Sequence, residues 1–221
     1  MRTRLRSGFT LIELLVVISI IGLLATALVP AVKAVKKSAK ASSAKTVFGQ
    51  WATGCTLYKK EYGAYLPNMA TTYDSSKDVV HKLDDAGKTL AFIKCLYGKN
   101  LNGTALSSGT TGDRVKFNRQ AMEFCAFSQD DFYNFSPGDT TWQSAPILQD
   151  RLGNTAIRVG FDLDNNGVLK GLAGIFPKDL TDMTGTTGIP GRIVIFTTDQ
   201  DIGTLNPDMS AEAATDIYVI Q

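Results

Sequence analysis

The sequence predicts an α+β fold: a long N-terminal helix whose first half is membrane-embedded and whose second half packs on a C-terminal antiparallel sheet. Three observations predict it. Residues 9–32 carry Glu13 as their single charge, residues 32–62 repeat apolar positions at helical spacing, and β-branched runs cluster after residue 145.

The first element is the apolar run. At about 1.5 Å per residue its helix is roughly 36 Å long, enough for a hydrocarbon core of about 30 Å. Arg2, Arg4 and Arg6 precede it, so the positive-inside tendency keeps the N-terminus in the cytoplasm and sends the rest across. Without those three arginines the chain holds 20 basic against 21 acidic residues, a near-neutral body with no electrostatic footprint for nucleic acid.

Two ordinary readings leave Glu13 without a purpose. A secretory signal peptide would use Ala25-Thr26-Ala27 as its cleavage site, and a plain anchor would merely tolerate the carboxylate. A charge near the apolar centre costs about 2.5 to 3.5 kcal/mol on insertion scales, which argues against the first.

The second element continues the helix. Val32, Val35, Ala39, Ala44, Val47, Phe48, Trp51, Cys55, Tyr58 and Tyr62 follow one another mostly at three-, four- and five-residue steps, and Gly63 supplies a stop. Residues 9–62 are then one helix of about 80 Å. Lys33, Lys36, Lys37, Lys40 and Lys45 lie mostly on its other side, either as a solvated face or as a contact for lipid headgroups or an acidic neighbour.

Beyond Pro67, residues 78–98 predict one further helix or two short ones, and residues 99–112, rich in Gly, Ser, Thr and Asn, predict a loop. Residues 113–145 are mixed and aromatic. Residues 146–149, 155–161, 191–197 and 216–220 read as strands, with Arg151-Leu152-Gly153-Asn154 as a hairpin turn between the first two. Cys55, Cys95 and Cys125 form no CxxC motif, so the alternatives are one bridge, Cys95 to Cys125 foremost, or three buried thiols.

Arg-rich leader, Gly8, Phe9-Thr10-Leu11-Ile12-Glu13 and the apolar run with Pro30 together resemble the N-terminal signature of the type IV pilin and type II secretion pseudopilin family. The resemblance implies a pilin-like fold. It divides the chain into a cleaved leader, 1–8, a transmembrane and assembly helix, 9–32, and an exported head, 33–221. It further implies that a prepilin peptidase cuts between Gly8 and Phe9 and methylates the new Phe9 terminus.

In that family the carboxylate meets the terminal amine of a neighbouring subunit, so Glu13 and Pro30 become assembly residues. The partners so implied are the peptidase, further copies in a helical filament, and an inner-membrane assembly platform with its ATPase. Location follows: single-pass in the inner membrane with the head outside the cytoplasm, then in a filament. A minor tip pilin acting as a binding module is the alternative, suggested by the long region 78–142. The stretch KKEYGAYLP, residues 59–67, is also similar to the end of the long helix in major pseudopilins.

Two stretches offer oxygen ligands. Asp162, Asp164, Asn166, Gly167 and Val168 match positions one, three, five, six and seven of a calcium loop, but Ala173 stands where the bidentate Glu belongs. Such a site needs a distant carboxylate, and an Asx-rich turn is the other reading. By resemblance to the pseudopilin calcium loop, Asp201 and Asp216-Ile217, with Asp199 and Asp208 nearby, form a second candidate, set against a plain polar loop.

Enzymatic chemistry finds no motif. His81, the single histidine, reads as an exposed helix residue, and HExxH, GxGxxG, GxSxG and P-loop patterns are all missing from the sequence.

Overall fold

The structure is a computed structural model that describes residues 10–66, 78–83, 86–170, 180, 188–197 and 217–221. Its fold is α+β. The chain forms two compact units, Met1–Ala39 and Lys40–Gln221. Helix α1 spans Leu11–Tyr62 without interruption at Gly22 or Pro30. Gly63 ends it in a left-handed conformation, φ 75°, its N–H donating to the Lys59 carbonyl at 2.8 Å.

The rest of the chain supplies β1 (Val79–Lys82), α2 (Ala86–Tyr97), α3 (Asp113–Phe117), β2 (Ile157–Phe161), β3 (Val168–Leu169), β4 (Ile189–Pro190), β5 (Ile193–Thr197) and β6 (Ile217–Ile220). The main sheet has the order β1-β2-β5-β6, antiparallel throughout, and β3-β4 form a separate two-stranded sheet.

Strand periodicity sorts the side chains into two cores. Ile157, Val159, Phe161, Ile193, Ile195 and Ile217 join the cluster that holds Ala44, Phe48, Trp51, Ala52, Cys55 and Tyr58 of α1. Val194 and Phe196 instead meet Leu169, Leu180 and Ile189 on the opposite face. With both faces covered, β2 and β5 are buried along their whole length. A Cβ on Gly160 would lie 2.7 Å from Val194 Cγ1, so only glycine admits that approach of β2 to β5.

Four expectations are corrected. Residues 79–82 are a strand, because Val79 and His81 pair opposite Phe161 and Val159; α2 begins only at Ala86. Residues 146–149 form no strand, since Leu148 makes a single bridge to Phe132. The turn after Asp150 exists, with Gly153 N–H on the Asp150 carbonyl at 3.1 Å, but it joins no pair of sheet strands. His81 is buried on β1 against Phe161, not exposed on a helix. Between the two cysteine alternatives, the structure has three free, buried thiols. Burial pushes the Cys125 thiol up to about 12 and raises those of Cys55 and Cys95 too, so all three stay protonated at neutral pH.

Candidate functional site

The first site is the start of α1. Thr10 stands just before Leu11, and its backbone N–H and hydroxyl both donate to Glu13 Oε2 at 2.8 Å. In return the Glu13 N–H donates to Thr10 Oγ1 at 3.3 Å. This is a reciprocal capping box, and it satisfies backbone donors that an apolar surrounding would leave without partners. The TLIE spacing therefore has a local role that the sequence reading missed, although a Thr-x-x-Glu pattern before an apolar run was there to signal it.

From Leu11 to Val35 the large apolar side chains are uncovered: Leu11 is 87% exposed and Leu23 72%. Polar groups along this stretch are closed internally. Ser19 donates to the Leu15 carbonyl and Thr26 to the Leu23 carbonyl, each at 2.8 Å. Pro30 sits within the helix, where it brings no N–H. Among the described residues α1 is the one helix long and apolar enough to cross a membrane. Gly8 and Phe9 lie outside the described residues.

The second site is the loop after β2. Buried Asp162 accepts the Asn166 N–H at 3.3 Å and the Gly167 N–H at 2.9 Å. Asp164 accepts the Asn166 N–H at 3.0 Å and its side-chain amide at 2.6 Å, while Asn166 Oδ1 accepts the Val168 N–H at 2.7 Å. Val168 itself belongs to β3, paired with Pro190.

A carboxylate that sequence reasoning did not assign to this loop joins them. Asp78 precedes β1, and the pairing of Val79 with Phe161 brings it beside Asp162. One carboxylate oxygen from each of Asp78, Asp162 and Asp164 lies within 4.8 Å of the others. Asp78 also accepts the Leu163 N–H at 3.3 Å and the Lys170 N–H at 2.5 Å, clamping the loop. Burial, followed by the Asp164 and Asp162 carboxylates, holds its acid above the usual range. Asp164 is held below it, chiefly by the Asn166 N–H. Hard oxygen donors in this number suit calcium in kind. Lys59 reaches the same loop by bonding Asn165 Oδ1, and burial lowers the affinity of its amine for the proton.

Asp199, Asp201, Asp208 and Asp216 lie outside the described residues. Ile217 opens β6 and is buried.

An apolar helix with exposed side chains, opened by a Thr–Glu cap, in a chain whose other unit is an α+β head, suggests anchoring in a membrane through α1. Residues 3–29 match the family model described as the prokaryotic N-terminal methylation motif, the hallmark of type IV pilins and pseudopilins. The match ends within α1, one residue short of Pro30. No curated protein and no solved structure matches the chain.

Proposed function

We propose that the chain is a structural subunit of a filament, a type IV pilus or a type II secretion pseudopilus. A prepilin peptidase cuts it between Gly8 and Phe9, and residues 9–32 hold it in the membrane until assembly. The observation that carries this reading is the methylation motif over residues 3–29, with Glu13 at the head of a helix whose large apolar side chains are exposed from Leu11 to Val35. The same motif favours a structural subunit over an enzyme. The Phe9 amine keeps its positive charge after methylation, and Glu13 is one helical turn along the same face, so the carboxylate of one copy neutralises the amine of the next.

The test separates processing from assembly. Glu13→Val leaves a mature chain with an N-methylated Phe9 terminus by mass spectrometry but cuts filament yield at least tenfold, whereas substitution of Gly8 blocks cleavage. Normal filament yield from Glu13→Val would sink the pairing. A chain starting after Ala27 would sink the whole reading.

A tip-located binding subunit is the second reading. It is favoured by a groove of about 560 Å³ in the middle region, floored by Phe127, Phe132, Phe135 and Trp142. Abundance in sheared filaments decides between the two, since a tip subunit is nearly absent from them.

We also propose that Asp78, Asp162 and Asp164, with Asn166, hold calcium, Asp78 being the distant carboxylate the loop lacked. The ion would neutralise like charges crowded at a partly buried loop. Adding calcium to the chelator-treated protein raises the melting temperature by a few degrees, and Asp78→Asn removes that rise. An unchanged melting temperature contradicts the assignment.

A further inference from the structure

We infer that Lys33, Lys36 and Lys37 bind the phosphates of anionic lipids at the end of the apolar helix. This rests on the membrane reading above. From Leu14 to Val32 the helix carries no charge, and Lys33 is the first to follow. The rise from Leu11 to Val32 is about 33 Å, close to the hydrocarbon thickness of about 30 Å, so the three amines stand at headgroup depth.

Their spacing is i, i+3, i+4, which gathers them on one side of α1. Lys33 and Lys36 are exposed and Lys37 is partly covered. No acidic residue occurs in α1 between Glu13 and Glu61, so no carboxylate three or four positions away can pair with them. None of the three has an ion pair among the described residues. Three unpaired cations at headgroup depth form a surface complementary to lipid phosphate. That layer surrounds a lone subunit on every side, whereas an acidic face of a second copy is met only after assembly.

The experiment places the full chain in nanodiscs of phosphatidylcholine alone and of an equimolar mixture with phosphatidylglycerol. Native mass spectrometry then reads which lipids stay bound. The wild type retains phosphatidylglycerol in several-fold excess over phosphatidylcholine. K33Q/K36Q/K37Q cuts that excess at least twofold, the remainder belonging to Arg2, Arg4 and Arg6 at the other end of the apolar run, and K33R/K36R/K37R preserves it in full. Equal retention of both lipids by the wild type, or an undiminished excess in the glutamine variant, overturns the proposal. If the wild type shows no excess while the glutamine substitutions abolish cross-linking between copies, the lysines serve a protein partner instead and the lipid assignment fails. Entry into the phosphatidylcholine discs reads the membrane assignment by itself. A chain that enters them without lipid preference overturns only the present proposal, and one that stays out overturns both.

Discussion

The two halves of α1 share one secondary structure and obey opposite rules. Between Leu11 and Val35 the large apolar side chains are exposed, and between Ala44 and Tyr58 a stripe of them is buried. The first half is apolar all round, the pattern of a helix meant for lipid or for other apolar helices; the second is apolar on one face and meets its own sheet. Helix formation is therefore not what distinguishes them. One half meets its partners within the head, while the large apolar side chains of the other are exposed among the described residues.

The largest effect expected from this contrast is on Trp51. It is 1% exposed, lies 5.5 Å from Phe48 and 5.6 Å from Phe127 between ring centres, and meets Phe92 edge-on. Trp51→Ala removes that packing and leaves a cavity, at a cost of about 3–5 kcal/mol to the head. Leu15→Ala, on the bare half, changes head stability by less than about 0.5 kcal/mol. Denaturant unfolding of the full chain in detergent, followed by near-ultraviolet circular dichroism, measures both. Equal losses would erase the distinction.

Acid sharpens the same contrast through His81. Burial, followed by the charge of Lys88, brings its pKa from 6.5 down to about 4. The unfolded chain therefore binds a proton that the folded chain refuses between those two values. The stability His81 contributes is complete above about pH 6.5 and is lost as pH falls towards 4, up to about 3 kcal/mol. Asp78 and Asp150, both raised by burial, act in the opposite sense, adding stability in acid that is lost as pH rises. Comparison with His81→Phe isolates the histidine: its melting temperature falls less than the wild type's between pH 7 and pH 4.5. Parallel pH profiles would show that His81 is not held neutral.

These differences mirror what the sequence made legible. The apolar run, the helical spacing to Tyr62 and the strands β2, β5 and β6 are local patterns, and a local pattern can be read before the fold is known. Val79–Lys82 is four residues ahead of a helix, compatible with either state, and only its pairing with β2 decides. Pro146 to Gln149 has the composition of a strand but finds no ladder. Asp78 carried no signal at all. It enters the acidic cluster because the β1–β2 register sets it beside Asp162, and register is a tertiary fact. The start of α1 was legible for its charge and misjudged for its hydrogen bonds, since Glu13 has a partner within its own chain.

That local partner sets the smallest and most discriminating prediction. Glu13 can matter as a cap for its own helix or as a charge offered to another copy, and the two roles need different chemistry. Capping needs a side-chain oxygen three residues after Thr10, which glutamine also supplies. Neutralising an amine needs the negative charge. Thr10→Ala removes the hydroxyl that links both directions of the box and costs about 1 kcal/mol at the helix end. The expected outcome is faster hydrogen exchange at the amides of residues 11–14 in micelles, with filament yield close to normal. Glu13→Gln does the reverse, keeping slow exchange and losing filaments. Should Glu13→Gln assemble as well as the wild type while Thr10→Ala does not, the carboxylate serves its own helix, and the apolar half of α1 is recruited by packing alone.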